Sequence, residues 1–362
     1  MKEVKVNFYD GLIYVDSNQC IMFPMNTFLI IVNKIIQNNS KTQVKEIFHN
    51  SSSIDAFIFS RENKNNNKKE ILLKYLLLMK EYGFGEISLN HFSKKILLSQ
   101  KKPFLSHFYS KLFKQSPDIY LEEIVFGFLK NILKYLFNKK IEGKLIIGKN
   151  VSYIFEIKDE SITENDNFDF KYDYPKEKEA TSILKKVLLN NHLQNTNGEV
   201  RLWGIPAIFI PLHFLINCTS KLEGDNYRSF FQNLGKIQGV CAVEIQRKKF
   251  GIISNDIFFE IVKQSNLIGM GRFIINKKKP LEFSISNNLD SFYSNFYPKE
   301  NYLYIKEYLL YDIKGIYESI ISWNTNLKFK NEFFYFEKNS EFNLSKEEKD
   351  INKYLNINSF NL

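Results

Sequence analysis

The pattern of apolar and polar positions along the chain passes through the same order twice. Residues 21–25 and residues 208–212 are apolar runs with proline in the fourth position, and a helix-like apolar segment follows each. A short apolar run is typical of a buried strand. Proline fits the first turn of a helix, because the N–H that it lacks has no partner there. Each half of the chain is therefore predicted to open with a strand that leads into a helix.

A second helix-like segment follows in each half. Phe48 precedes Ile54 by six positions, and Phe231 precedes Ile237 by the same spacing. Both phenylalanines are followed two positions later by asparagine. Because these segments come in the same order after the same opening strand, the sequence indicates that one unit has been duplicated.

Glycines recur at two further points of the predicted duplication. An amphipathic helix ends in Gly-x-Gly at residues 83–85 and again at residues 269–271, and the alternating residues after each predict a strand. Glycine just after a helix supplies the left-handed conformation that ends it. Further along, each half has a long helix with one internal glycine, Gly127 and Gly315.

Each half closes with this long helix and an aromatic strand. The helices are predicted over about 120–137 and 302–323, and the closing strands over 149–156 and 330–337. The two strands match in length, in their end residues and in aromatic content. This order predicts an α+β fold of two tandem repeats, each an antiparallel sheet with helices packed on one side.

The duplication predicts four segments along the chain. Residues 1–158 form a first domain, and residues 200–338 form a second domain of the same kind. Residues 159–199 form a linker with a short helix. Its part from 159 to 179 holds eight acidic residues and three lysines, a net charge of −5 that is typical of solvated linkers. Residues 339–362 are predicted to be a polar tail that is mobile or loosely docked.

This order of features resembles the 4-vinyl reductase domain family of predicted hydrocarbon-binding domains, which shares its fold with the core subunits of TRAPP vesicle-tethering complexes. The proline-led first helix, the helix ending in Gly-x-Gly, the strand pair and the long glycine-containing helix carry the resemblance. It covers roughly residues 8–158 and 200–338. It implies that the two halves pack as a pseudo-dimer in place of the homodimer of single-domain relatives.

One property of several family members is missing from this sequence. Those members close a zinc site with Cys or His near the long helix and the last strand, but residues 120–158 and 302–338 contain neither residue type. Zinc needs deprotonated thiolate or neutral imidazole ligands. We therefore predict no metal and no cofactor, while a mixed-ligand site that uses His91, His107 or a distant cysteine stays open.

The sequence has no recognisable catalytic motif. None of the five histidines stands in a metal-binding or triad pattern, and no nucleophile elbow, phosphate-binding loop or dinucleotide fingerprint occurs. Glu122 and Glu123 are adjacent, so they lie on different helix faces, and a solvated first turn is the favoured interpretation. We therefore expect that the protein is not an enzyme.

Composition and charge limit the classes of partner. The net charge is +10, but only five of the fifty basic residues are arginine. Lysine binds phosphate as a point charge and lacks the planar fork that reads base edges, so nucleic acid is not favoured. An acidic membrane surface and protein partners stay open. Three widely spaced cysteines and the absence of a visible signal peptide indicate a cytoplasmic protein.

The abundance of aromatic residues, with 34 Phe and 20 Tyr, is the remaining lead. Six residues would surround a cavity between sheet and helices: Phe28, Phe48, Phe84, Phe214, Phe231 and Met270. Aromatic and methionine walls suit an apolar ligand, although the same residues could simply fill a core. The resemblance adds Cys218, because some TRAPP-type domains have a hydrophobic tunnel near this helix that takes up an acyl chain. The alternative is a small buried hydrophobic residue.

The sequence leaves three possible functions. The first is a non-catalytic binding protein that senses or carries an apolar, lipid-like or hydrocarbon-like small molecule. The second is a TRAPP-like scaffold or membrane-tethering protein that acts through contacts with other proteins. The third is an enzyme acting on a tetrapyrrole or similar molecule, which only the name of the family suggests.

Overall fold

Strands and helices follow one another along the chain as expected for a mixed protein. The computed structural model describes residues 6–9, 12–16, 18–162, 193–202, 204–222, 224–250, 258, 269, 273–279, 282–287, 299–330 and 333–355. Most of the predicted linker, with its helix at 180–193, lies outside these residues. Every strand pairing given for these residues is antiparallel, so the fold class is α+β, as predicted.

The first half supplies the following elements. Its strands are β1 (Val6–Tyr9), β2 (Leu12–Val15), β3 (Asn18–Pro24), β4 (Ile87–Phe92), β5 (Lys95–Gln100), β6 (Lys139–Ile147) and β7 (Val151–Ser161). Its helices are α1 (Met25–Asn38), α2 (Lys41–Ser51), α3 (Ser53–Glu62), α4 (Lys68–Tyr82), α5 (Phe104–Phe113) and α6 (Glu122–Phe137).

The described part of the second half keeps the same order of strands and of the long helix. Its strands are β8 (Leu193–Thr196), β9 (Glu199–Leu202), β10 (Ile205–Pro211), β11 (Phe273–Lys279), β12 (Glu282–Asn287), β13 (Trp323–Lys330) and β14 (Phe333–Glu341). Its helices are α7 (Leu212–Thr219), α8 (Asp225–Phe250), α9 (Lys299–Ile321) and α10 (Lys346–Leu355). None of the helices in the described ranges combines the length and the apolar character that a membrane crossing requires.

The opening strands of both halves form one six-stranded sheet, in the order β1-β2-β3-β10-β9-β8. Each strand of the second half begins 187 residues after its counterpart, at 193, 199 and 205 against 6, 12 and 18. If each strand is replaced by its counterpart in the other half, the order becomes β8-β9-β10-β3-β2-β1, which is the same sheet read from the opposite edge. The sheet is therefore arranged about a two-fold axis that passes between β3 and β10.

The register of β3 against β10 obeys the same symmetry. Met22 faces Phe209, which is its own counterpart 187 residues later. The pairs on either side mirror one another: Pro24 with Ala207, and Cys20 with Pro211. Two identical strands adopt this register when they pair across a two-fold axis. The duplicated segments thus pair with each other as the subunits of a homodimer would.

The compact units of the chain do not coincide with the two repeats. One unit comprises residues 1–7, 13–176 and 188–221, so it holds β10 and α7 of the second half. The other comprises residues 8–12, 177–187 and 222–362. We call them the first and the second unit. β10 lies in the first unit because its residues 207–211 pair with β3, and α7 packs on α2 and α3.

The two four-stranded sheets have equivalent topologies. The order is β4-β5-β7-β6 in the first unit and β11-β12-β14-β13 in the second. A left-handed residue follows the long helix in both, Asn138 with φ 50° after α6 and Ser322 with φ 56° after α9. The predicted closing strand is in each case the second strand of a hairpin, because this left-handed residue turns the chain directly into another strand.

A bridging glutamate on the long helix is also repeated. Glu123 on α6 and Glu307 on α9 are both buried, and each bonds to a basic residue and a polar residue on a neighbouring helix. The partners, at 2.6–2.8 Å, are Lys45 and His49 in the first half, and Arg228 and Gln232 in the second. A repeated ion pair of this kind supports duplication more strongly than apolar matches, which any core would contain.

This glutamate pair corrects the alignment of the long helices. Glu123 and Glu307 are 184 positions apart, as are the left-handed residues Asn138 and Ser322. Gly127 therefore corresponds to Tyr311 rather than to Gly315, one helical turn away. The two glycines occupy different positions on their helices. They have a similar role, because each lies directly against the backbone of a packed helix.

The C-terminal segment forms a docked helix, α10, where a loosely held tail was expected. Ser345 and Glu348 exchange hydrogen bonds as a capping box that starts the helix. Glu348 then forms an ion pair at 2.9 Å with Lys236 on α8, and Leu355 is buried. The polar composition concealed this helix, since its contacts with α8 involve only a few residues of one face.

Candidate functional site

The structure buries the predicted site residues but does not gather them in one place. Six of the seven are no more than 2% exposed: Phe28, Phe48, Phe84, Phe214, Cys218 and Phe231. The seventh, Met270, lies outside the described residues. Phe231 lies in the second unit, where its ring stacks on Tyr304 at 5.5 Å. The other five lie in the first unit, although two of them come from the second repeat.

Phe128 on α6 brings two of the predicted residues together. Its ring centroid lies 5.6 Å from that of Phe84 and 5.0 Å from that of Phe214. Tyr82, at the end of α4, lies 6.4 Å from Phe128 and 6.1 Å from Phe84. We call these four rings the aromatic cluster. Tyr82 and Phe128 were missed in the sequence, where nothing marks them beyond an apolar position on a helix.

A buried aspartate is the most unusual residue near this cluster. Asp55, in the first turn of α3, is completely buried, and neither carboxyl oxygen has a partner with hydrogen-bond geometry. Burial raises its pKa well above the usual value, and the backbone N–H of Phe214 in the first turn of α7 offsets this only in part. Most buried polar groups are hydrogen-bonded, so this carboxyl group requires an explanation.

Asp55 has further polar neighbours in the same interior. The pKa of the Tyr75 hydroxyl is raised by burial and then by Asp55. The pKa of the Cys20 thiol is raised in the same way. Burial raises the pKa of the Cys218 thiol to about 12. A hydrogen bond with Ser51 lowers this pKa and the charge of Asp55 raises it, both by smaller amounts. These groups share one electrostatic environment, although they lie on the separate elements β3, α3, α4 and α7.

Tyr82 connects this polar group to the aromatic cluster. Its hydroxyl oxygen accepts a hydrogen bond of 2.7 Å from the side-chain amide of Asn18. Burial raises the pKa of Tyr82, followed in size by the effects of Cys20, Asp55 and Tyr75. Asn18 Oδ1 and the Tyr75 hydroxyl are buried without hydrogen-bond partners. We call Asn18, Cys20, Asp55, Tyr75 and Tyr82 the polar cluster.

The signal for the polar cluster in the sequence was weak. Asp55 stands between Ile54 and Ala56 in an apolar helical stretch, which is where an acidic residue is least expected. Asn18 stands just before an apolar run, at a position where a polar residue at the end of a strand is common. Only the packing of α3 and α4 against β3 brings these residues together.

Glu122 and Glu123 are buried, which corrects the prediction of a solvated turn. Their side chains do diverge, as predicted. Glu122 accepts hydrogen bonds from the backbone N–H and the hydroxyl of Ser106, and Glu123 bonds to His49. Burial raises the pKa of Glu122. At Glu123 burial acts in the same direction, but the bonds from His49 and Lys45 outweigh it and lower the pKa. Both residues join α6 to neighbouring helices.

Among the described residues, no group of three or more His, Cys, Asp or Glu side chains lies close enough together to hold a metal ion. His213, at the start of α7, is buried, and burial lowers its pKa to about 4. The ring is therefore neutral at physiological pH. His91 is an exposed strand residue that contacts Ser93.

A surface groove of about 660 Å³ lies beside α6, β6 and β7, away from the predicted site. It is lined by charged residues that include Lys130, Lys134, Lys140, Glu142 and Glu160. Lys140 and Glu160 form an ion pair of 3.0 Å. An open groove with charges of both signs does not resemble a site for an apolar molecule.

Comparisons with known proteins give little further information. No protein-family model matches the chain, and no curated protein matches it. One solved structure with a partial likeness is the phenol-responsive sensory domain of the transcription activator PoxR with phenol. It shows 9% sequence identity over 42% of this chain and 84% of that chain, with a TM-score of 0.37. At this TM-score the likeness assigns neither a fold family nor a function.

Proposed function

We propose that this protein is a non-catalytic binding protein of the 4-vinyl-reductase-like kind, which senses or carries a small, largely apolar molecule in the interior of the first unit. The observation that carries the proposal is the polar cluster. It holds groups whose hydrogen-bonding capacity is largely unused, above all Asp55, beside a wall of aromatic rings. Binding sites for small molecules combine mostly apolar walls with a few convergent polar groups.

The protonation state of the two buried thiols in this region favours binding over catalysis. Burial raises the pKa of both thiols, Cys20 and Cys218, so they are protonated at physiological pH. A catalytic thiol needs the opposite shift, because the thiolate is the nucleophile. Cys218 fits its alternative interpretation as a small buried residue, since Phe214 and Thr219 on the same helix are buried around it.

Native mass spectrometry of the purified protein tests the proposal. We expect a fraction of the protein to carry excess mass, and organic-solvent extraction to release an apolar molecule that accounts for it. Protein that carries no such molecule, and that shows no thermal shift with apolar probes, would contradict the proposal. Stable capture of a protein partner together with this result would favour the scaffold function instead.

Two matched variants locate the site. Phe214 and Phe231 are equally buried, at 1% exposure, and lie in different units. We expect Phe214→Leu to weaken retention of the bound molecule several-fold, because it removes a ring from the aromatic cluster. Phe231→Leu should have little effect on retention. The reverse result would place the site in the second unit and contradict the proposal.

A further inference from the structure

β6 is a long edge strand, and within the described part of the chain no strand pairs with its outer side. It has 9 residues and pairs with β7 alone. The strand at the opposite edge of this sheet, β4, has 6 residues, and a bulge between Leu89 and His91 interrupts its register. The register of β6 is regular from Ile141 onwards. A long and regular edge is a surface on which a further strand can pair.

The hydrogen bonds of β7 show which residues of β6 have free backbone groups. The N–H of Ile157 donates to the carbonyl oxygen of Lys94, so Ile157 bonds towards β5 and away from β6. Ile157 lies opposite Ile141. Because bonded and non-bonded pairs alternate along an antiparallel ladder, Ile141 and every second residue up to Ile147 point their N–H and C=O groups to the open edge.

The space beside this edge is accessible. Residues 140–143 line the surface groove of about 660 Å³, which separates this part of β6 from Lys130 and Lys134 on α6. Gly143, in the middle of the strand, is exposed. Ile146 is a large apolar side chain that is 43% exposed. An incoming strand would therefore meet free backbone groups, open space and an apolar side chain that it can cover.

The charges on the outer face of β6 alternate in sign. A Cβ atom on Gly143 would touch the ring of Phe126 on α6, so Gly143 and the other odd-numbered residues of the strand face this helix. The even-numbered residues lie on the opposite face of the sheet. They are exposed and include Lys140, Glu142 and Lys144.

Two of these charges are incompletely matched within the protein. Glu142 lies opposite Glu156 on β7, and both carboxylates share Lys158, at 3.1 Å and 3.0 Å. Lys144 has no ion-pair partner among the described residues. The outer face thus has a carboxylate that can accept a further cation, two residues from a lysine that can supply one.

Antiparallel pairing of two copies of β6 about Gly143 places these unlike charges opposite each other. Glu142 of each copy then faces Lys144 of the other, and all residues of the strand are paired. A centre at Glu142 or at Lys144 sets like charges against each other, which is destabilising. A centre at Ile141 avoids this but pairs only residues 139–143. The charges and the length of the strand therefore favour one register.

We propose that two copies of this protein associate by pairing β6 with β6 about Gly143, so that their four-stranded sheets become continuous. Ile141 of one copy then faces Leu145 of the other on the side of α6. On the outer face, the aliphatic part of Lys140 covers Ile146. One pair of strands buries less area than a standard interface, so the association is weak and depends on concentration. This inference is independent of the proposed function.

The counterpart of β6 in the second half lacks this pattern. β13 is also the edge strand of its sheet, and Lys328 corresponds to Lys144 by the offset of 184 positions. The counterpart of Glu142 is Asn326. Two copies of β13 would therefore place an amide opposite each lysine. Of these two edge strands, only β6 is complementary to itself in charge.

Sedimentation equilibrium of the full chain at a series of concentrations tests the proposal. We expect a monomer–dimer equilibrium. Lys144→Glu should weaken it by about 10-fold or more, because two carboxylates then face each other. Glu142→Lys should have a similar effect, because it sets two lysines against each other. Lys328→Glu makes the same change of charge at an exposed position on β13, and it should leave dimerisation unchanged.

A mixture of two variants tests the register. When Glu142→Lys is mixed with Lys144→Glu, both facing pairs again combine a lysine with a glutamate. We expect heterodimers as tight as the dimer of the unchanged protein, although each variant alone associates more weakly. Circular dichroism verifies the fold of each variant, and all three substitutions are at exposed positions.

Three results would overturn the proposal. A full chain that stays monomeric at every concentration would show that the edge is not used in this way. Equal weakening by Lys144→Glu and Lys328→Glu would trace the association to net charge rather than to β6. A mixture of the two β6 variants that associates no more strongly than its components would exclude pairing about Gly143.

Discussion

At the scale of single residues, each unit contains a buried aspartate. Asp55 in the first unit and Asp312 in the second are both buried, at 0% and 3% exposure, and burial raises the pKa of each carboxyl group. At Asp312 the pKa rises to about 8. Such a group lowers stability near neutral pH, because the unfolded chain can ionise its carboxyl group while the folded chain cannot.

Replacement of Asp312 by asparagine should therefore stabilise the protein at neutral pH. The folded carboxyl group is protonated up to about pH 8, whereas the unfolded group ionises above its usual pKa of 3.8. The free-energy cost grows as pH rises between these values, and at pH 7 it reaches at most about 4 kcal/mol. Urea unfolding of Asp312→Asn and the unchanged protein at several pH values measures the difference.

The pH dependence distinguishes this explanation from a change in packing. The gain in stability should shrink as pH falls and should disappear below about pH 4, where both states are protonated. A stabilisation of equal size at pH 4 and pH 7 would show that removal of the charge is not the cause. Lys349→Ala, at an exposed position on α10, is a suitable control for the unfolding measurements.

At the scale of elements, glycines allow the long helices to approach their neighbours. A Cβ atom on Gly315 of α9 would lie 1.9 Å from the carbonyl oxygen of Lys236, and one on Gly235 of α8 would lie 2.1 Å from that of Tyr308. Gly127 of α6 meets the carbonyl oxygen of Phe48 at 2.6 Å. Since backbone atoms cannot give way as a flexible side chain can, these positions determine the spacing between helices.

Substitution of alanine for Gly315 should be strongly destabilising. The added methyl group forces α8 and α9 apart, and the expected loss is about 3 kcal/mol or more, at the upper end of overpacking effects. Thermal unfolding measures the change. Gly148→Ala is the matched control, because its added Cβ would lie 3.8 Å from its nearest neighbour. Equal stability of the two variants would show that the helices are not held by this approach.

At the scale of the whole molecule, the six-stranded sheet joins the duplicated segments. β3 of the first repeat finds its partner in β10 of the second, with Met22 opposite Phe209 at the centre. If β10 is removed, β3 becomes an open edge, and open edges recruit other strands. A second copy of β3 offers the same register, because the pairing is symmetric.

A fragment of residues 1–162 should therefore form a homodimer. In this dimer β3 of each copy would pair with β3 of the other about Met22, and α1 of each copy would occupy the position that α7 holds in the intact chain. Size-exclusion chromatography with light scattering measures the mass. Met22→Pro in the fragment removes a ladder N–H and should yield monomer or aggregate. A monomeric fragment with an intact fold would contradict the prediction.

Much of the fold could be predicted from the pattern of residues alone. Proline after an apolar run marked the starts of α1 and α7, and Gly83, with φ 91°, ends α4 as predicted. These are local signals, because proline narrows and glycine widens the range of backbone conformations wherever they occur. The duplication was also evident, because one order of such local signals occurred twice.

The sequence by itself determined the α+β class, the repeated order of elements and the burial of Phe28, Phe48, Phe84, Phe214, Cys218 and Phe231. Only the tertiary structure decided which of these residues meet. It placed Phe214 and Cys218 of the second repeat in the first unit, because β10 pairs with β3 and takes α7 with it. It also brought Asp55 and Tyr75 to Cys20 and Asn18. Such contacts join residues far apart in sequence, and no local pattern of side chains specifies them.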